Sequence, residues 1–130
     1  MESGITLIKT GSEELLPAAA ESSVLYTSQG RWKGIEVEHH ILPPDEMPEH
    51  LMNGHRLMIN IGGPVTFEHK IGASWERHTY RNGDFDLLST GEMNHPRWHD
   101  ELNIIAIELD PAYFPGFSVI PWGCLPISSC

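Results

Sequence analysis

The sequence predicts one all-β domain, a sandwich or barrel with almost no helix. Three observations carry that expectation. Short runs of period two recur from Ile35 to Leu109. Turn signals separate them at regular spacing: Pro43-Pro44-Asp45, Gly62-Gly63-Pro64, Gly72-Ala73-Ser74 and Arg81-Asn82-Gly83-Asp84. The chain's 130 residues, 40% hydrophobic and 20% charged, suit a single self-folding core rather than a disordered chain.

Residues 1–33 read as a leading segment with little regular structure. Within it, Ser12-Glu13-Glu14-Leu15-Leu16 fits one helical turn capped by Ser12 and stopped by Pro17. The barrel is expected over residues 34–114. Its first strand covers residues 35–42, where Ile35, Val37, His39 and Ile41 alternate with Glu36, Glu38, His40 and Leu42, one face being more polar. Further strands follow at residues 56–61, 65–68, 75–80 and 85–88, with Gly83 available for a positive φ in the turn before the last. The most apolar run, residues 102–109, is predicted to be central. Asp110-Pro111 fits a helix start, with aspartate at the cap and proline in the first position. The tail, residues 115–130, carries no charge and no usable period.

Charge and composition narrow the function. Eight basic residues stand against 18 acidic ones, a formal net of −10, and the densest cationic stretch, residues 77–81, holds only Arg77, His78 and Arg81. Such a surface repels phosphates, so no direct nucleic-acid binding by this chain is expected. Cys124 and Cys130 sit together at the end, where they neither staple a fold nor form a zinc spacing. The N-terminus lacks a basic region followed by an apolar run, and no stretch approaches the ~18 apolar residues of a membrane span. A cytoplasmic protein without membrane contact is the expectation.

Eight histidines raise the question of a metal, which needs three or four His or carboxylate groups on one point. His50, His55, Glu68, His95 and His99 are the candidates. No Gly-x-Ser-x-Gly elbow and no phosphate-cradling glycine loop is present, so no catalytic residue is assigned. Asp84 and Asp86 share a strand face beside a turn and are expected to be solvated.

Pro44-Asp45-Glu46-Met47-Pro48-Glu49-His50, followed by His55 and the strand to Gly62-Gly63-Pro64, resembles the first signature segment of cupins. Gly83-Asp84 with Leu87, Gly91 and His95 resembles the second. The run from Trp32 to His40 followed by Pro43-Pro44, then Gly83 to Leu87, Arg97-Trp98 and Leu109 to Phe114, looks like the cupin-type sensor domain of AraC-type transcription regulators. The likeness covers roughly residues 24–114. It implies a cupin-like (RmlC-like jelly-roll) β-barrel that binds a small-molecule effector; a homodimer is the expectation for a barrel with exposed edges.

The chain departs from the metal-binding cupin pattern. Those proteins carry an His-x-His pair on one strand, whereas His50 and His55 are separated by Asn53-Gly54, and His39-His40 point to opposite faces. Glu68 lies beyond a Gly-Gly-Pro turn. No metal or other cofactor is therefore expected. A barrel mouth would instead place an effector between walls from Met58, Asn60, Phe85, Trp98 and Ile105, with His50, His55 and His95 as polar partners. No arginine is expected inside to demand an anion.

The resulting reading is an effector-binding domain of an AraC-type regulator without the helix-turn-helix half, because no recognition-helix pattern follows Phe114. A naturally isolated domain, a truncated gene remnant and an expression fragment all fit. The alternative is a metal-dependent cupin enzyme, a dioxygenase or isomerase, needing His50, His55 and His95 or His99 to converge. A filled barrel serving as an interaction domain is a third.

Overall fold

The computed structural model describes residues 1–114; the uncharged tail read at 115–130 lies outside the described residues. In chain order the strands are β1 (Thr6–Lys9), β2 (Leu15–Pro17), β3 (Val24–Thr27), β4 (Ile35–Leu42), β5 (Asp45–Glu46), β6 (His50–Met52), β7 (His55–Asn60), β8 (Val65–Ile71), β9 (Ser74–Tyr80), β10 (Phe85–Leu88), β11 (Met93–Asn94), β12 (Pro96–Trp98) and β13 (Leu102–Leu109). They form three antiparallel sheets, ordered β11-β6-β1-β2, β10-β7-β13-β4-β3 and β5-β12-β8-β9. Among the described residues the helical content is one 3-10 turn, Glu21–Ser23, and no helix is long and apolar enough to cross a membrane.

The leading segment is part of the barrel, which corrects the expectation that it lacks regular structure. Ile5 and Leu7 are completely buried. β1 pairs with both β2 and β6, and β3 pairs with β4. The helical turn expected around Ser12 is replaced by a hairpin in which Leu16 and Leu15 face Leu7 and Ile8. A five-residue helix has too few bonds to offset its nucleation, while the hairpin gains a buried partner strand.

β13 is central, as its apolar sequence predicts, and the register across the five-stranded sheet sorts its side chains by face. Ala106 stands opposite Met58 and Glu38, and Ile104 opposite Asn60 and His40. These positions point inward, and Glu38, His40, Asn60, Ile104 and Ala106 are buried. The alternate positions, Ile105 opposite Ile59 and His39, point outward, and Phe85 pairs with Ile59 on that same outer row. Ile105 and Phe85 are therefore not barrel walls; Phe85 is 55% exposed.

The core lies between this sheet and β8, β9 and β12. It consists of Val65, Phe67, Tyr80, Trp98, Leu102 and Ile104, with Leu42, Met47 and Met58 packed against it. Phe67 stacks on Trp98 with centroids 6.0 Å apart and meets Tyr80 edge-on at 5.7 Å. Gly83 takes φ +87°, the conformation its turn requires. At the far end, Asp110 caps a single turn by accepting from the Ala112 N–H at 2.8 Å, and the described residues end at Phe114.

Candidate functional site

The barrel interior encloses a cavity of ≈ 40 Å³. That exceeds the roughly 10–15 Å³ one water needs and falls well below the roughly 300–1,000 Å³ of drug-sized pockets. Leu42, Met47, Phe67 and Trp98 give it an apolar end, and His40, His50 and Arg56 a polar one. Ala18, Leu42, Met47 and Trp98 also line an outer cleft of ≈ 220 Å³, so this wall is common to the inner cavity and the surface. Trp98 is fixed there by its indole N–H, which donates to the Pro43 carbonyl at 2.7 Å.

Arg56 lies inside the barrel, 4% exposed, and corrects the expectation that no arginine would be found there. One terminal nitrogen reaches Glu108 Oε1 and the Thr6 carbonyl, each at 3.4 Å. Its Nε is buried with no hydrogen-bond partner. Burial raises the Glu108 pKa against the opposing pull of Arg56.

His50 is completely buried at the start of β6. Its Nδ1 lies 2.8 Å from the Pro48 carbonyl. A carbonyl only accepts, so Nδ1 carries the proton. Burial lowers the pKa of this histidine, which leaves the ring neutral and Nε2 a bare acceptor. That Nε2 also has no partner.

Behind the cavity a charged group is held by the leading segment. Glu38 accepts from Ser3 Oγ at 2.7 Å, Thr27 Oγ1 at 3.0 Å and the Gly4 N–H, and bonds His40 Nε2 at 2.7 Å. Burial pushes its pKa up, but these bonds together outweigh it and hold the carboxyl at about 2.

Of the residues expected to bind an effector, His50, Met58 and Trp98 line the cavity. The other five go elsewhere, Ile105 to the outer row already described. Asn60 points inward but is consumed as a strut, donating to the Gly63 and Tyr80 carbonyls and accepting from the Gly62 N–H. His55 has the opposite parity to Arg56 and accepts from the Thr90 N–H at 3.1 Å. His95 bonds Glu46 at 3.0 Å and meets the Trp75 ring edge-on at 5.2 Å. Phe85 is on the outer row described above. Asp86, expected to be solvated, is opposite Met58 on the inner face, and its Oδ2 is buried 3.9 Å from His69 Nε2.

The histidines do not fit the metal that a cupin resemblance would imply. His99 bonds Glu68, which Arg97 also grips through two bonds of 3.2 Å, and burial has little say against these partners: Arg97 first and His99 second hold Glu68 at about 2. With His55 on Thr90 and His95 on Glu46, these rings have separate partners. Among the described residues no group of three or more His, Cys, Asp or Glu is arranged to hold a metal.

Arg56, His40, Leu42 and Phe67 were not anticipated on the cavity wall. The signal was present for Arg56: it sits two residues before Met58, so any strand that turns Met58 inward turns Arg56 inward too.

The sequence matches no protein-family model and no curated protein. Solved structures do resemble this fold. An RmlC-like cupin family protein with a double-stranded β-helix fold from Methanocaldococcus jannaschii superposes with a TM-score of 0.52 at 16% identity, covering 90% of this chain and 99% of that one. A cupin superfamily protein from Desulfitobacterium hafniense gives 0.52 at 14% identity, covering 80% and 97%. A Cupin 2 conserved barrel domain protein from Salinispora arenicola gives 0.51 at 16% identity, covering 72% and 77%. At such identities the likeness speaks to architecture alone: this chain has the all-β, RmlC-like jelly-roll fold of the cupins.

Proposed function

We propose that this chain is a small-molecule receptor domain, the effector-binding part of an AraC-type transcription regulator, and that it performs no chemistry on its ligand. The observation that carries the reading is the shared wall of Ala18, Leu42, Met47 and Trp98 between the inner cavity and the outer cleft. An effector entering there would set an apolar body against Trp98 and Met47 and a polar group near His50 and Arg56. The resemblance over residues 24–114 supports placing this receptor in a regulator, and the net charge of −10 weighs against direct DNA contact by this chain.

The metal-dependent enzyme alternative has no observation in its favour, because His50, His55, His95 and His99 do not converge. The interaction-domain reading is the contrasting outcome of the test. Thermal unfolding with a metabolite library should yield ligands that raise Tm, since binding to the folded state stabilises it. Ala18→Leu, at the half-buried shared wall, should abolish that rise while leaving the unliganded Tm nearly unchanged. A library without any stabilising ligand, or ligands indifferent to Ala18→Leu, would remove the receptor reading and leave a filled barrel that acts through its surface.

A further inference from the structure

Two residues that line the cavity each carry a buried polar atom without a partner, and the two atoms are of opposite kinds. Arg56 Nε–H can only donate. His50 Nε2 can only accept, because Nδ1 uses its proton on the Pro48 carbonyl at 2.8 Å. Both residues line the same cavity, at 4% and 0% exposure, and neither atom has a hydrogen-bond partner. A buried group left unpaired costs more than a typical hydrogen bond gains, so the pair asks for a ligand that answers both.

We propose that the cavity recognises a neutral carboxamide or lactam, whose carbonyl accepts from Arg56 Nε–H and whose N–H donates to His50 Nε2, with its apolar substituent against Phe67, Met47 and Trp98. This rests on the receptor reading and names the ligand class for that site.

Charge selects the amide over a carboxylate. The Arg56 guanidinium already faces Glu108 at 3.4 Å and is attracted by Glu38 behind it. An entering anion would meet those carboxylates and would offer Nε2 no donor. A ketone would satisfy Arg56 and leave Nε2 unanswered. A single water can bridge a donor and an acceptor, and that is the competing occupant the experiment has to separate.

The test uses the full chain labelled with 15N at histidine and titrated with butyramide, 2-pentanone and butyrate, which share a short apolar chain. Butyramide is expected to bind at least roughly tenfold more tightly than either analogue, the size of the penalty for an unpaired buried group. It alone should move the His50 Nε2 resonance, which reports on hydrogen bonding in the wild-type protein without any substitution. His50→Asn keeps an N–H donor for the Pro48 carbonyl where Nδ1 stood and removes the Nε2 acceptor, and should equalise the amide and the ketone. Equal or tighter binding of 2-pentanone or butyrate, or amide binding with an unmoved His50 resonance, would overturn the amide assignment. If a library ligand sensitive to Ala18→Leu exists while butyramide leaves His50 unmoved, water fills the pair and the receptor reading survives alone. If no such ligand exists and butyramide is silent, both fall.

Discussion

Glu38→Gln offers the sharpest test of the interior electrostatics. The carboxyl has an ordinary value of 4.5 and is held at about 2 in the folded barrel. At ~1.4 kcal/mol per unit, ionised Glu38 contributes about 3 kcal/mol of stability. The folded value is the lower one, so the unfolded chain binds the proton first. The contribution is therefore fully present above about pH 4.5 and is lost as the pH falls through about 2. Glutamine keeps the shape and cannot titrate. Urea unfolding followed by tryptophan fluorescence, run on both proteins from pH 6 to pH 2, gives the difference in unfolding free energy at each pH. The other carboxylates are common to both proteins and largely cancel in that difference. Wild type should exceed the variant at pH 6, and that excess should shrink by about 3 kcal/mol toward pH 2. An excess constant across the range would refute the claim that Ser3, Gly4, Thr27 and His40 stabilise a buried carboxylate.

Two further outcomes follow from packing. Gly34→Ala should destabilise the fold by about 1–3 kcal/mol, because Gly34 sits at φ +74° and a Cβ there would lie 2.7 Å from the Tyr113 Cβ; a wild-type Tm in that variant would contradict it. Phe67→Ala should cost about 3–5 kcal/mol in urea unfolding, since the ring is 3% exposed and contacts both Trp98 and Tyr80, and a loss below 1 kcal/mol would mean the cavity collapses around the gap.

The long strands were legible and the short ones were not. Ile35–Leu42 and Leu102–Leu109 each run eight residues between turn signals, enough for period two to declare itself. Asp45–Glu46 and Met93–Asn94 are two residues each and have no period to read. β1 and β2 fail for a different reason. Their stability comes from pairing across a hairpin and onto β6, far along the chain, as Leu7 opposite Met52 illustrates. Local propensity around Ser12 and Glu13 favours a capped turn, and this distant pairing overrides it.

The candidate site was half legible, because period two establishes that a strand has two faces without saying which one is inside. On β13 both faces are apolar: Ile104 and Ala106 point in, and Ile105 and Ile107 point out. On β4 the more polar face is the buried one, with Glu38 and His40 inward and Val37 and Ile41 only half-buried. Hydrophobicity alone assigns that strand the wrong way round. A carboxylate turns inward only where donors wait for it, and three of its four side-chain and backbone partners, Ser3, Gly4 and Thr27, belong to the leading segment. Arg56 obeys the same logic two strands away, since it too reaches the leading segment at the Thr6 carbonyl. Both inward charges thus depend on residues whose own sequence carries no strand signal. The polarity of the barrel interior, and with it the donor and acceptor that face the cavity, becomes readable only once β1 and β3 are placed.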